Sequence, residues 1–255
     1  MENKQLVGEM FTTKSWGDLK IIEYNGNRKV RVKFVKTGYE VVTSLNSIKK
    51  GCVRDRLLPS VYGVGIVGVE PIVDKYGRKL KEYEIWCSML QRVYVSKKHK
   101  KLQTYIKCSV SENFKCFSYF KEWCNNQIGF DKFSDDGLPY TLDKDILVKG
   151  NKVYSEDTCC FVPHKINSLL IKCDGIRGSN LIGVYCIKSK NVYTASIRMD
   201  MKQKSLGRFQ TEVEAFQAYK KAKETYIKEV ANFYKDQISL KVYNTLMSYS
   251  VEMSD

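Results

Sequence analysis

The stretch from Leu181 to Tyr234 constrains this chain most, because its apolar period changes once, from the two of a strand to the 3.6 of a helix, at a marked cap. Tyr193, Ala195 and Ile197 alternate with Thr194, Ser196 and Arg198, so a strand there has one apolar and one polar face. Thr211 and Glu214 form a T-x-x-E capping box ahead of an apolar run, which predicts a helix from about Glu212. Ala215, Tyr219, Ala222 and Tyr226 then recur at three- and four-residue steps, widened by Phe216, Ile227, Val230 and Tyr234. A helix with that stripe packs on one face of the strands. The other face stays free to meet a partner.

In order, the chain reads Gly183-Val184-Tyr185, then Tyr193-x-Ala195-x-Ile197-Arg198, Leu206-Gly207-x-Phe209-x-Thr211 and Glu214-Ala215-x-x-Ala218-Tyr219. This series resembles the AP2 domain of plant transcription factors and of some phage homing endonucleases. The resemblance implies a three-stranded sheet whose outer face lies in the major groove of double-stranded DNA, with Tyr185, Ser196, Arg198, Ser205 and Arg208 at the reading positions. Tyr185 and Ser205 replace other base-reading groups of the plant domains, so the plant target does not carry over. Arg198 is the best candidate for a base contact, since a guanidinium bonds guanine bidentately. The charge balance agrees with a polyanionic partner. There are 43 Lys and Arg against 28 Asp and Glu, a formal +15, and Lys188, Lys190, Arg198, Lys202, Lys204 and Arg208 concentrate part of it on this sheet. A second run, Lys97, Lys98, His99, Lys100 and Lys101, reads as a loop, either a solvated charge cluster or a phosphate clamp. RNA or an anionic membrane surface would also suit a basic chain, so charge alone selects no partner.

No apolar run approaches the roughly 20 residues of a membrane span, and the first residues are too polar for a secretory signal. A soluble, intracellular protein is expected, with no membrane partner. The nine cysteines form no C-x-x-C pair and only two histidines accompany them, so no structural zinc is expected and buried free thiols are the default.

Residues 1–70 alternate in short runs, Leu19-Ile21-Tyr24, Val30-Val32-Phe34 and Val41-Val42, broken by Asn25-Gly26-Asn27 and Thr37-Gly38. This predicts a small antiparallel barrel of SH3-like type, with Asn25-Gly26 as a hairpin signal. The glycine-rich segment from Leu58 to Pro71 reads as a linker or an extended lead. Further on, Tyr83, Trp86, Met89, Leu90 and Val93 have helical spacing, as do Phe117, Phe120, Trp123 and Cys124, and both stripes read as core.

Next come Leu142-Asp143-Lys144-Asp145-Ile146, Gly150-Asn151-Lys152-Val153-Tyr154-Ser155, Cys159-Cys160-Phe161-Val162-Pro163 and Ile166-Asn167. They read as a strand, a polar turn, a second strand and the start of a helix. That order resembles the HNH nuclease unit, in particular that of phage proteins with an AP2-like tail. The resemblance implies hydrolysis of DNA phosphodiesters with Mg²⁺ or Mn²⁺, held by Asp143 and Asn167. Lys144 stands at the family's catalytic histidine. Three readings stay open: Lys144 binds a phosphate while Asp145 or His164 serves as base; the unit cleaves weakly through metal-bound water; or it keeps DNA binding and has lost cleavage. In the last case the protein is a DNA-binding regulator, or an inhibitor of a host protein.

The expected architecture is α+β and multi-domain: residues 1–70 as the β-module, 71–172 as the HNH-like ββα unit with flanking helices, and 173–255 as the AP2-like sheet and helix. Another helix is expected around Ile238 to Met247 with Leu240, Tyr243 and Leu246 inward, and the last six residues as a frayed end. By resemblance the setting is the cytoplasm of a phage-infected bacterium. No heptad pattern sets an oligomeric state.

Overall fold

The structure, a computed structural model, describes residues 6–95, 104–171 and 180–255. The Lys97–Lys101 run and Cys173 lie outside the described residues. The chain is α+β and forms two compact units, residues 1–124 and 125–255.

The first unit opens with an antiparallel meander in the order β1 (Met10–Thr12), β2 (Asp18–Tyr24), β3 (Val30–Phe34) and β4 (Glu40–Thr43). Val30, Val32 and Phe34 are buried between exposed Arg31 and Lys33, and they join Leu19, Ile21, Ile48 and Val53 in one core. The Asn25-Gly26 hairpin forms between β2 and β3, with Gly26 at φ +97° and Lys29 N–H donating to its carbonyl at 2.9 Å. The expected barrel is not closed. Among the described residues β1 pairs only with β2 and β4 only with β3, and strands of three and four residues are too short to curl together. A helix, α1 (Leu45–Lys49), follows β4 instead, its N-terminus capped by Ser44, whose Oγ accepts from Ser47 N at 3.1 Å.

Helices follow in the rest of this unit, with one short strand among them. α2 (Lys81–Tyr94) buries Trp86, Met89, Leu90 and Val93; after the short strand β5 (Ser109–Val110) come α3 (Glu112–Lys115) and α4 (Phe117–Asn125). α4 buries Phe117, Phe120, Trp123 and Cys124, as its spacing predicted. Trp86 donates its indole N–H to Phe114 O at 2.7 Å, and Phe114 meets Phe120 and Trp123 edge-on with centroids 5.0 and 4.8 Å apart. The segment read as a linker is packed here: a Cβ on Gly65 would come within 2.6 Å of Leu90 and 2.7 Å of Trp86.

The second unit begins with β6 (Thr141–Asp143), β7 (Val153–Tyr154), β8 (Cys160–Val162) and α5 (His164–Leu169). β6 and β8 pair antiparallel, with Asp143 opposite Cys160. Next comes a three-stranded antiparallel sheet of β9 (Val184–Ile187), β10 (Val192–Met199) and β11 (Lys202–Phe209), in the order β11-β10-β9. The long helix α6 (Glu212–Phe233) covers one face of it. Its capping box is formed: Thr211 Oγ1 accepts from Glu214 N at 3.2 Å, and the Glu214 carboxylate accepts from Thr211 N at 3.1 Å. Val184, Ala195 and Ile197 from the sheet, Tyr219, Tyr226 and Ile227 from α6, and Ile146, Val162 and Ile166 from the ββα segment belong to one continuous core.

Two expectations near the C-terminus change. In α7 (Leu240–Met247) Leu246 is buried and Tyr243 half-buried as expected, Val242 joins them against α6, and Leu240, the first residue of the helix, is exposed instead. The last residues are docked, not frayed. Val251 is buried and its N–H donates to Glu224 Oε1 at 2.9 Å, Lys220 Nζ donates to Val251 O at 2.7 Å, and buried Asp255 pairs with Lys149 at 2.6 Å.

Candidate functional site

Strand register decides which side chains share the open face of the sheet. Side chains directly opposite each other in a ladder point to the same side. Arg208, Thr194 and Tyr185 therefore form one outer row, Ser205 and Ser196 the next, and Gln203 and Arg198 the third. Tyr185 is 66% exposed, a large aromatic turned away from the core. Gln203 Nε2 donates to Ser196 Oγ at 2.6 Å, and Thr194 Oγ1 to Tyr185 O at 3.2 Å. No strand of this sheet contains an Asp or Glu. Arg198 and Arg208 are exposed and have no acidic partner among the described residues. Lys188 and Lys190 stand on a single 3₁₀ turn between β9 and β10, closed by Asn191 at φ +48°.

Lys204 stands elsewhere. A bulge between Ala195 and Ser196 puts Lys204 opposite Ile197, so it shares the side of the buried row and reaches solvent at the edge strand. Lys202, opposite Met199, does the same. The register thus brings together Tyr185, Ser196, Arg198, Ser205 and Arg208, leaves Lys204 out, and adds Gln203, which a period-two count from Ser205 would have found.

The far end of the sheet is pinned. Asp200 and Met201 join β10 to β11 with φ of +47° and +64°, the two-residue turn whose twist matches a hairpin. Asp200 Oδ1 accepts from Lys165 Nζ at 2.7 Å and from the Tyr226 hydroxyl at 3.0 Å, and these bonds hold its carboxyl below the usual range. The turn is thereby tied to both α5 and α6. No Asn-Gly or Asp-Gly pair announces it in the sequence.

In the β6–β8–α5 segment the polar groups bond mainly to the local backbone and to one another. Asp143 Oδ1 accepts the N–H groups of Asp145 and Ile146 at 2.8 and 2.9 Å, closing the turn after β6. Burial, and next the charge of Asp145, push the Asp143 carboxyl up to about 6, against the pull of those two N–H groups. Lys144 is buried; its Nζ lies 3.3 Å from Asp145 Oδ2 and 5.8 Å from the centre of the Tyr154 ring. Asn151 Nδ2 donates to Lys144 O and Val153 O, both at 2.7 Å, so it fixes the loop that carries Lys144. On α5, Asn167 Nδ2 donates to Thr141 Oγ1 at 3.3 Å, two residues before Asp143 on the same strand side, whereas His164 is exposed at the first position of the helix. Beneath them Cys159 and Cys160 are buried thiols; burial pushes Cys159 up to about 12 and Cys160 further in the same direction. Among the described residues no three His, Cys, Asp or Glu side chains gather in a metal-binding group, and no helix is long and apolar enough to cross a membrane. Comparison with protein-family models, curated proteins and solved structures found no match.

Proposed function

We propose that this protein binds double-stranded DNA through the outer face of β9–β11, as a phage-type protein of the HNH and AP2 homing-endonuclease class whose ββα segment serves binding and not cleavage. One observation carries the binding half: a sheet face without carboxylates, backed by a 22-residue helix, presents on its outer rows an exposed tyrosine and two arginines that have no acidic partner among the described residues. Arginine bonds base edges and phosphates, an exposed ring contacts sugars and thymine methyls, and hydroxyl and amide groups serve either role. Fixing the face before contact lowers the ordering entropy of binding.

The loss of cleavage is supported at Lys144. A hydrolytic centre here would place Mg²⁺ or Mn²⁺ on Asp143 and Asn167. The residues do not fit that ion. The Lys144 ammonium already stands 3.3 Å from the Asp145 carboxylate, and one oxygen of Asp143 is taken up by two backbone donors. A base is missing as well, since Lys144 is held as the partner of Asp145 and His164 points into solvent at the helix start.

The test is a time course of supercoiled plasmid and phage genomic DNA with the purified protein in Mg²⁺, Mn²⁺ or EDTA, beside a gel shift on the same DNA. A robust shift with intact DNA in every condition supports the proposal. Metal-dependent nicking that disappears in Asp143→Ala would establish a working nuclease and remove the second half; the lack of any shift would sink the first.

A further inference from the structure

The positive charge of this chain is unevenly divided. Residues 1–124 carry 24 Lys and Arg against 12 Asp and Glu, whereas residues 125–255, which hold the reading sheet, carry 19 against 16. Most of the field that attracts a polyanion thus comes from the unit to which no site has been assigned.

Within that unit some cations meet a carboxylate, while others, Lys20, Arg28, Lys29 and Lys36 among them, are exposed and meet none among the described residues. Arg31, Lys33, Arg78 and Lys121 each meet a carboxylate within 3.2 Å. Lys14, Lys49 and Lys50 are exposed and meet none among the described residues. The fold brings these three together. Lys14 N–H donates to Gly51 O at 3.0 Å, joining the β1–β2 turn to the end of α1, where Lys49 and Lys50 stand. The junction is close enough that a Cβ on Gly51, whose φ is +64°, would lie 3.2 Å from Lys14 N and 3.3 Å from Thr12 O. The turn itself is stiff: buried Thr13 donates its hydroxyl to Gly17 O at 2.8 Å and accepts from Trp16 N at 2.8 Å. Three like charges on a stiff frame repel one another, and a phosphodiester backbone relieves that repulsion by contact with all three.

We infer that Lys14, Lys49 and Lys50 form a second DNA contact, a sequence-independent phosphate-binding patch on the N-terminal unit. The inference rests on the proposed binding of duplex DNA and adds an anchoring site remote in sequence from the reading sheet.

The experiment is a salt titration of full-length protein on a random-sequence duplex, followed by fluorescence anisotropy. Wild type is compared with a variant carrying Lys14→Gln, Lys49→Gln and Lys50→Gln, with the matching triple Lys→Arg variant, and with Arg198→Ala. Each phosphate contact contributes about 0.9 to the slope of log K against log salt, so the Gln variant should lose about 2–3 of that slope while the Arg variant keeps it. The Arg variant has the same charge and similar reach, so equal losses in both would mean damage to the fold and overturn the assignment. An unchanged slope in the Gln variant, with wild type bound, overturns the patch and leaves the sheet reading intact. A reduced slope in the Gln variant, with the slope kept in the Arg variant, upholds the patch whatever Arg198→Ala does on this duplex. Wild type that binds no duplex at any salt overturns both.

Discussion

At Gly183 a methyl group would come within 2.0 Å of the Tyr219 ring, and the backbone there has φ +75°. Gly183→Ala should therefore lower stability by about 2–4 kcal/mol through overpacking and left-handed strain, read in a guanidinium titration. The same contact explains why the glycine before Val184-Tyr185 and the Ala218-Tyr219 pair occur in one motif: the sheet and α6 approach closely at that point. Asp143 shows where single residues were not legible. Asp143-Lys144-Asp145 has the composition of a charged surface turn, yet Lys144 is buried and the Asp143 carboxyl is pushed up to about 6, because β6 carries the triplet over the core formed by Ile146 and Cys160. The folded state then keeps a proton that the unfolded chain, with a carboxyl near ~3.9, has lost. This contribution is fully present below pH ~4 and is lost as pH rises to about 6. Asp143→Asn keeps the acceptor for the two N–H groups and removes the charge. It should flatten stability across that window and raise it at pH 7 by about 1–3 kcal/mol in pH-dependent denaturation, whereas a variant that follows wild type would rule out the buried carboxyl as the cause.

At the scale of the strand, face matters more than identity. The alternation along β10, the capping box and the stripe of α6 could be read directly from the residues, because each is a local pattern of apolar period or cap chemistry. The bulge opposite Ala195 and Ser196 could not be read that way. It depends on pairing with another strand, and it places Ser205 on the side of Arg208, where unbroken alternation from Arg208 would have placed Lys204. The barrel expectation failed for a similar reason, since closure depends on which edge strands meet, and alternation says nothing of edges. Arg198 and Gln203 face each other on the outer side, so Arg198→Ala should weaken binding to a selected site by about 1–3 kcal/mol and change random-sequence binding less. A binding-site selection followed by competition assays measures this, and an equal loss on every sequence would reduce Arg198 to a phosphate contact.

Across the molecule, tertiary docking reorganised segments that looked independent. The glycine-rich run around Gly65 is pressed onto α2, and residues 249–255 lie along α6, with Val251 and Asp255 buried. Polar sequences such as Ser-Val-Glu-Met-Ser-Asp carry no sign of docking, because their partners, Glu224, Lys220 and Lys149, come from distant positions. Val251→Ala should accordingly lower stability by about 1–3 kcal/mol in thermal denaturation, where a loose end would show no change. The unequal charge of the two units has a kinetic counterpart. Long-range attraction governs how often two molecules meet, and short-range fit governs how long they stay together. Neutralising cations of residues 1–124 should slow arrival on DNA, most visibly at low ionic strength, while changes on the outer rows of β9–β11 should shorten residence at a preferred sequence. Under the proposed DNA binding, a chain built this way would search quickly with one half and dwell selectively with the other.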